Sequence, residues 1–354
     1  MRIIRLSTFL DYGGIESKMV NLSTYSDENE WWFCAIGKGG DAEKKIEKNN
    51  KIVKCLKLSV KIPSFISIVR LYLYFKKHKP HVVHSSGAEA NFHGTIAARL
   101  AGIKIIVSEE IGIPNHTWKA ILLFKWIYNM SDFVVGESQT VMNYLKENYN
   151  IREDKLKVIS NFTLFSDLEK QEPKSVTEPF TIVSISRLEP VKNIEGVIKV
   201  VHLLKQKQFK IKYIIVGDGR SRNSIQNLIK DLNLQDEIKL VGYQNDPKKF
   251  LNQADLYVLN SLTEGFSNSL LEAMYSKIPS ISTDVGAAKE MIEDGISGWI
   301  VKTDNEMELF EKIKSVIQSE KSTRIQIGSN GHNHVVKTYS LESHVQSLLK
   351  LYKS

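Results

Sequence analysis

Short apolar runs of five to seven residues alternate along this chain with longer segments of helical period. That alternation predicts strand–helix–strand units building parallel sheets with helices on both faces. In the first half the predicted strands are "RIIRLS", "WFCAIG", "KIVKCL", "HVVHSS", "KIIVSEE", "DFVVGES" and "KLKVISN". Between 162 and 179 the sequence "FTLFSDLEKQEPKSVTEP" is polar, carries Pro173 and Pro179 and loses all periodicity, as an interdomain linker does. A second series follows: "FTIVSISR", "IKYIIVGDG", "EIKLVGY", "DLYVLNS", "PSISTD" and "GWIVK", spaced by helical segments such as 193–207, 220–232 and 305–318. The predicted fold class is α/β, with two Rossmann-like doubly wound domains over 1–163 and 180–338, a linker over 164–179 and a closing segment, 339–354. No short repeat points to a solenoid.

Composition supports two real cores, since 354 residues with 42% hydrophobic content are about two domains' worth of chain. Met1 leads directly into a strand rather than a signal peptide, and the apolar run "AILLF" at 120–124 is cut short by Lys125. The expectation is a cytoplasmic protein with no transmembrane helix. Cys34 and Cys55 lie in apolar strand-like runs without metal or redox spacing and read as buried thiols.

The net charge of +8 says less than its placement. Residues 44–79 hold eleven Lys and Arg against one acid, Glu47, and include "SFISIVRLYLYFKKHKP". That stretch reads either as an amphipathic helix packed on a sheet or as a basic, apolar element resting on an anionic membrane surface at the inner face of the cell membrane. With no recognised motif or aromatic platform beside the lysines, nucleic acid is not an expected partner.

In doubly wound sheets ligands bind beyond the carboxyl ends of the strands, so the residues just after each strand are the candidates for chemistry. Gly13 and Gly14 follow the first strand and open a helix at "IESKMVNL", giving backbone amides access to a ligand; a tight turn is the other reading. Gly217 and Gly219 in "VGDGR" form a similar close-approach loop in the second half. No GxGxxG fingerprint supports a nicotinamide-type dinucleotide. In "SISRLEPVKN", Arg187 directly follows a strand and Lys192 precedes a helix starting near Asn193. A forked donor, a point charge and a helix N-terminus together suit a diphosphate.

The stretch "SLTEGFSNSLLEAMYSKIPSIST" places Glu264 in the loop after a strand. Gly265 lets the chain pass close to a ligand, Ser267 or Asn268 can cap the next helix, and Glu272 lies about one turn inside it. Both carboxylates can face the same interdomain cleft as Arg187 and Lys192. There they can accept hydrogen bonds from hydroxyls, Glu264 from a sugar ring and Glu272 from a ribose. A helix-end charge is the alternative for either.

The set "GGIES" (13–17), "SRLEPVKN" (186–193), "VGDG" (216–219), "EGFSNSLLE" (264–272), "STDVGAAKEMI" (282–292) and "DGISGWIV" (294–301) resembles the retaining glycosyltransferases of family 4, which have the two-Rossmann GT-B architecture. The resemblance implies that Arg187 and Lys192 hold a nucleotide diphosphate, Glu264 the transferred sugar and Glu272 the ribose, with the amides around Phe266 and Ser267 on phosphate or sugar. Asn268, Gly217, Gly219 and Gly242 join this donor set. It implies an acceptor on the N-terminal domain, with Gly13, Gly14, His84 and Glu109 in the acceptor or phosphate loops, and a final helix that crosses back to that domain. The chain departs from the family at "VSEEIG", where Glu109 and Glu110 stand in the region of a family His, at "ISNFT", which keeps Asn161 without a following glycine, and at Ser267, often Pro or Gly in relatives. His84, after "HVV", reads equally as a site group or a structural one.

The function expected is transfer of a sugar from a nucleotide-diphosphate sugar to a glycan or polyprenyl-diphosphate-linked acceptor in surface polysaccharide assembly. No metal or other cofactor is expected, since fixed cations and helix ends can stabilise the leaving diphosphate and the chain has no Asp-x-Asp. The alternatives are another enzyme on this fold, such as a sugar-nucleotide epimerase, and a non-enzymatic basic protein bound at a membrane.

Overall fold

The computed structural model of the chain describes residues 1–114, 116–164, 178–244 and 246–354. Of the predicted linker, 164–179, residues 165–177 lie outside the described residues. Two compact units are present: one joins Met1–Leu164 to Leu341–Ser354, and the other ends at Ser340.

The first unit is built on β1 (Arg2–Ser7), β2 (Glu30–Ala35), β3 (Ile52–Cys55), β4 (Val82–Ser86), β5 (Ile105–Glu110), β6 (Phe133–Gly136) and β7 (Leu156–Val158). They form one sheet in the order β3-β2-β1-β4-β5-β6-β7, with every pairing parallel. Strands at the centre of such a sheet are covered on both faces, and β1, β4 and β5 are buried almost throughout. Side chains of β1 alternate between two cores. Ile4 and Leu6 face a layer made by helices Phe65–His78, Ala88–Ala101, Trp118–Met130 and Gln139–Tyr149. Ile3 faces the other layer, made by helices Gly14–Ser23, Asp41–Lys48 and Leu341–Tyr352.

Helix starts in the first layer follow from their capping residues. The side chains of Ser64, Thr117 and Ser138 accept hydrogen bonds from the amides of Ser67, Ala120 and Val141. The basic stretch 44–79 is not a single surface. Helix Asp41–Lys48 buries Ile46 on one face of the sheet, while helix Phe65–His78 buries Ile68, Leu71 and Phe75 on the opposite face. Cys34 and Cys55 are free and buried.

The second unit holds β8 (Phe180–Ile185), β9 (Ile211–Val216), β10 (Ile238–Gly242), β11 (Leu256–Leu259), β12 (Ser280–Thr283) and β13 (Trp299–Val301), ordered β10-β9-β8-β11-β12-β13 and again all parallel. The helical segments expected at 193–207, 220–232 and 305–318 are the helices Ile194–Gln206, Arg222–Asp231 and Glu306–Gln318. The order reverses direction beside β8, between β9 and β11, the topological switch point at which open α/β sheets bind ligands.

Candidate active site

Two loops of the second unit meet at that switch point. The loop after β8 carries Arg187 and Lys192 and ends at Asn193, whose side chain accepts from the Gly196 amide to cap helix Ile194–Gln206. The loop after β11 carries Ser261 and Glu264. Backbone and side-chain bonds tie one loop to the other: the Leu262 amide donates to the Val191 carbonyl at 2.8 Å, and Asn260 Nδ2 to the Asn193 carbonyl at 3.1 Å. On this framework Lys192 Nζ donates to Glu264 Oε1, and Ser261 Oγ reaches the same oxygen at 2.7 Å. Both charged side chains are largely enclosed, and Glu264 Oε2 makes no hydrogen bond with a described residue.

The Arg187 side chain is exposed and makes no hydrogen bond or ion pair with any described residue. A cation held on a rigid strand-end loop with no anion of its own is available to one from outside. Beyond Glu264, Ser267 caps helix Asn268–Tyr275 by accepting from the Leu270 amide. This leaves the positive end of the helix directed toward the loop that holds Glu264, with Asn268 exposed in its first turn and Glu272 half-buried farther along. Phe266 packs edge-on against Tyr339, at 5.6 Å between ring centres.

The glycines of this unit serve the loops themselves. Gly217 has φ 141°, and a Cβ there would lie 1.8 Å from the Ser186 carbonyl oxygen. Its amide donates to the Gly242 carbonyl at 2.9 Å, while the Leu188 amide donates to Asp218 O at 2.9 Å. A Cβ at Gly219 would likewise press on Leu188 O, at 2.5 Å. Close approach at Gly217 and Gly219, with the Gly242 carbonyl receiving the Gly217 amide, therefore stacks neighbouring strand-end loops and fixes the one that bears Arg187.

In the first unit Gly13 and Gly14 are exposed at the start of helix Gly14–Ser23, where Gly13 offers no side-chain cap and the Glu16 carboxylate accepts from its own amide in the first turn. His84 and Glu109 are placed differently from the expectation of an acceptor loop. Both are fully buried in a network of charges under the carboxyl edge of the sheet. Arg5 and Lys18 donate to Glu109 at 2.7 and 2.6 Å, and Ser86 Oγ donates to the carboxylate as well. Lys18 also reaches Glu137 at 3.5 Å. His84 Nδ1 accepts from Arg5 at 2.8 Å and from Tyr352 Oη at 2.6 Å, while Nε2 faces Glu109 Oε2 at 3.3 Å.

The accepting Nδ1 requires a neutral imidazole. Burial, aided by Arg5, pushes the His84 pKa down to about 4. Burial pushes the Glu109 carboxyl up, but Lys18 and Arg5 outweigh it and hold it well below the usual range. Next to it, Glu110 accepts from Tyr128 Oη at 2.6 Å and Asn91 Nδ2 at 2.8 Å. No cation among the described residues neutralises it, and burial raises its pKa to about 7 despite those hydrogen bonds. Sequence reasoning missed Arg5, Lys18, Glu137 and Tyr352. One signal was present: an arginine inside the otherwise apolar run of a central strand needs a buried partner.

Two parallel-sheet Rossmann-like units in one chain, the final helix returned to the first, make up the GT-B architecture. The chain belongs to the family described by two models that together take in most of it: "Glycosyltransferase Family 4" matches residues 12–163 and "Glycosyl transferases group 1" residues 165–334. It is 26% identical to the capsular polysaccharide biosynthesis glycosyltransferase CapM of Staphylococcus aureus, over 81% of this chain and 80% of that one. It is also 26% identical to the UDP-Gal:alpha-D-GlcNAc-diphosphoundecaprenol alpha-1,3-galactosyltransferase of Escherichia coli, over 84% of this chain and 81% of the relative. Among solved structures, that of Anabaena HepE in complex with UDP superposes with a TM-score of 0.84 at 20% identity, covering 100% of both chains.

Proposed function

We propose that the chain moves a sugar, with retention of anomeric configuration, from a nucleotide-diphosphate sugar to a polyprenyl-diphosphate-linked glycan during assembly of a surface polysaccharide. The observation that carries this reading is the grouping of an unpaired Arg187 with the Lys192–Glu264 pair on two joined loops at the switch point of the second sheet. The names of the capsule and diphosphoundecaprenol relatives favour the acceptor class, and the UDP held by the Anabaena structure makes uridine diphosphate sugars the first donors to test.

In this reading Arg187 and Lys192 stabilise the charge that grows on the departing diphosphate, and the start of helix Asn268–Tyr275 adds its positive end. Glu264, with Oε1 occupied by Lys192 and Ser261, offers Oε2 to the hydroxyls of the transferred sugar. Glu272 serves the ribose. Proton removal from the acceptor falls to the leaving phosphate on the same face, with the two fixed cations doing the work that a metal ion does elsewhere. Glu264 acts as a hydrogen-bond acceptor rather than as a nucleophile, and trapping a glycosyl adduct on it would refute that role.

The test is a binding and donor-hydrolysis screen with UDP-, GDP-, ADP-, TDP- and CMP-sugars in the presence of EDTA, comparing wild type with Arg187→Ala and Glu272→Ala. One nucleotide-diphosphate sugar bound by the wild type and lost in both variants is the expected result. Failure to bind any sugar nucleotide, with or without added Mg²⁺, would remove the reading at its base. Binding that appears only with the metal would keep the transferase and discard the metal-free mechanism.

A further inference from the structure

At the carboxyl edge of the first sheet is an open cavity of about 640 Å³, lined by none of the residues that would hold the donor. It lies where three neighbouring strands end, between Phe9 after β1, Gly37 and Lys38 after β2, and Lys57, Ser59 and Lys61 after β3. Its walls are tied together. The Lys57 and Leu58 amides donate to the Gly37 and Ile36 carbonyls at 3.0 and 2.8 Å, and Ser67 Oγ donates to the Ser59 carbonyl at 2.6 Å. The Lys61 amide in turn donates to Ser59 Oγ at 3.3 Å. Phe9 packs so closely on Gly37 that a Cβ there would stand 2.5 Å from the ring. The lining is therefore a preformed surface of loops held by their own backbone.

Its charge is one-sided. Among the described residues that line it are three lysines and no acid. Lys38 meets Asp11 at 3.2 Å at the surface, with the lysine side chain 70% exposed, and such a pair holds its cation weakly. Lys57 and Lys61 are exposed and make no ion pair with any described residue. Three ammonium groups around one concavity repel one another and raise the potential inside it. Lys57 also holds φ 55°, in the left-handed region that glycine and asparagine enter more easily. A lysine kept at a costly backbone angle, beside two others, points to the charge itself as the reason for the arrangement.

The donors define the ligand's chemistry. An ammonium group is a compact, strongly hydrated point charge that suits the dense charge of phosphate oxygens, whereas a planar carboxylate suits the guanidinium fork. Three of them match a group that carries two or more charges. The donor's diphosphate falls to Arg187 and Lys192 in the other unit, so this cavity serves a different anion. We propose that the cavity at the ends of β1, β2 and β3 is a second phosphate subsite, which holds the diphosphate of the acceptor through Lys38, Lys57 and Lys61; this choice of ligand rests on the polyprenyl-diphosphate-linked acceptor already proposed. An acceptor held in this way is recognised by the link between its glycan and its lipid. A neutral glycan lacks that anchor.

The binding test titrates the full chain with inorganic pyrophosphate by calorimetry, in a parent carrying Arg187→Ala/Lys192→Ala so that both cations of the donor site are gone. Pyrophosphate should bind this parent, and adding Lys57→Ala/Lys61→Ala should weaken it about tenfold or more. The kinetic test compares one glycan as a diphosphate-linked acceptor with the same glycan as a neutral alkyl glycoside. In the otherwise wild-type chain, Lys57→Ala/Lys61→Ala should raise KM for the diphosphate-linked acceptor about tenfold or more. KM for the neutral glycoside and Kd for the donor should stay in place, which also shows that the variant is folded, and Lys57→Arg/Lys61→Arg should lose far less. The proposal is overturned if the double variant binds pyrophosphate as its parent does or if both acceptors lose alike. It is overturned too if pyrophosphate binds but the diphosphate-linked acceptor has no advantage over the neutral one, since the cavity would then take an adventitious ion only. A chain that binds no sugar nucleotide loses the proposed function, and the pyrophosphate titration then still decides whether the cavity is a phosphate site.

Discussion

Tyr352 Oη lies 2.6 Å from His84 Nδ1, across 268 positions of sequence. The contact fastens helix Leu341–Tyr352 to β4 through a histidine that also receives Arg5. The same helix buries Val345, Leu348 and Tyr352 in the core beneath β1. Tyr352→Phe should cost about 1–2 kcal/mol in urea unfolding, the loss expected for one buried hydroxyl bonded to His84 and, at 3.3 Å, to Arg5. Removing residues 341–354 uncovers that core and should prevent the first unit from giving a cooperative transition at all.

Glu109 is the centre of the buried charge. Glu109→Ala leaves Arg5 and Lys18 enclosed without their shared anion and should destabilise by about 3–5 kcal/mol. Glu109→Gln, which keeps the acceptor oxygen, should lose less. Equal losses, or none, in chemical denaturation would show that the network contributes by packing alone.

Glu110 gives the fold a pH dependence of definite sign. Its folded pKa, near 7, stands above the ordinary carboxyl value of about 4.5, so the native state holds the proton more tightly than the unfolded chain. Stability from this group is full below about pH 4.5 and is lost as pH rises toward 7. At pH 8, Glu110→Gln should therefore be the more stable protein, by roughly 1–3 kcal/mol, and the gap should close at pH 5. Melting temperatures of the two proteins at both pH values decide it.

Some of this arrangement is legible in the sequence and some is not, for physical reasons. Apolar runs separated by helical period reveal strands such as Ile211–Val216, since a strand covered on both faces must be apolar throughout. The cap at Ser267 is equally readable, because the signal and its effect are three residues apart. Arg5 is opaque: its anion, Glu109, lies 104 positions away on another strand, and nothing local names it. Helix Trp118–Met130 is opaque for another reason. Its apolar residues run around much of its circumference, and only the packed fold shows which of them lack a neighbour. The lysines of 44–79 merge into one feature in the sequence and separate in space because a strand, β3, carries the chain from one face of the sheet to the other.

Gly217 positions the arginine loop. Gly217→Ala forces a Cβ against the Ser186 carbonyl at a backbone angle that L-residues avoid, and should cost at least about 2 kcal/mol. Because Arg187 is the next residue after Ser186, donor binding should weaken in calorimetry even where the variant is fully folded.

Lys192 and Glu264 form one unit. Lys192→Ala and Glu264→Gln are each expected to lower kcat/KM about a hundredfold. The double variant should fall well short of the product of the two losses, since each single change already breaks the shared contact. Strict additivity in the four-member cycle would show that the pair does not act jointly.

The first unit takes its last structural piece from the far end of the chain, with the whole second unit inserted between. On the ribosome this sets an order. The second unit has all its strands and helices in hand while the first still lacks the segment that covers Ile3, Leu22 and Phe33 and supplies the hydroxyl for His84. Until residues 341–354 emerge, an incomplete apolar surface is exposed for as long as it takes to synthesise an entire domain.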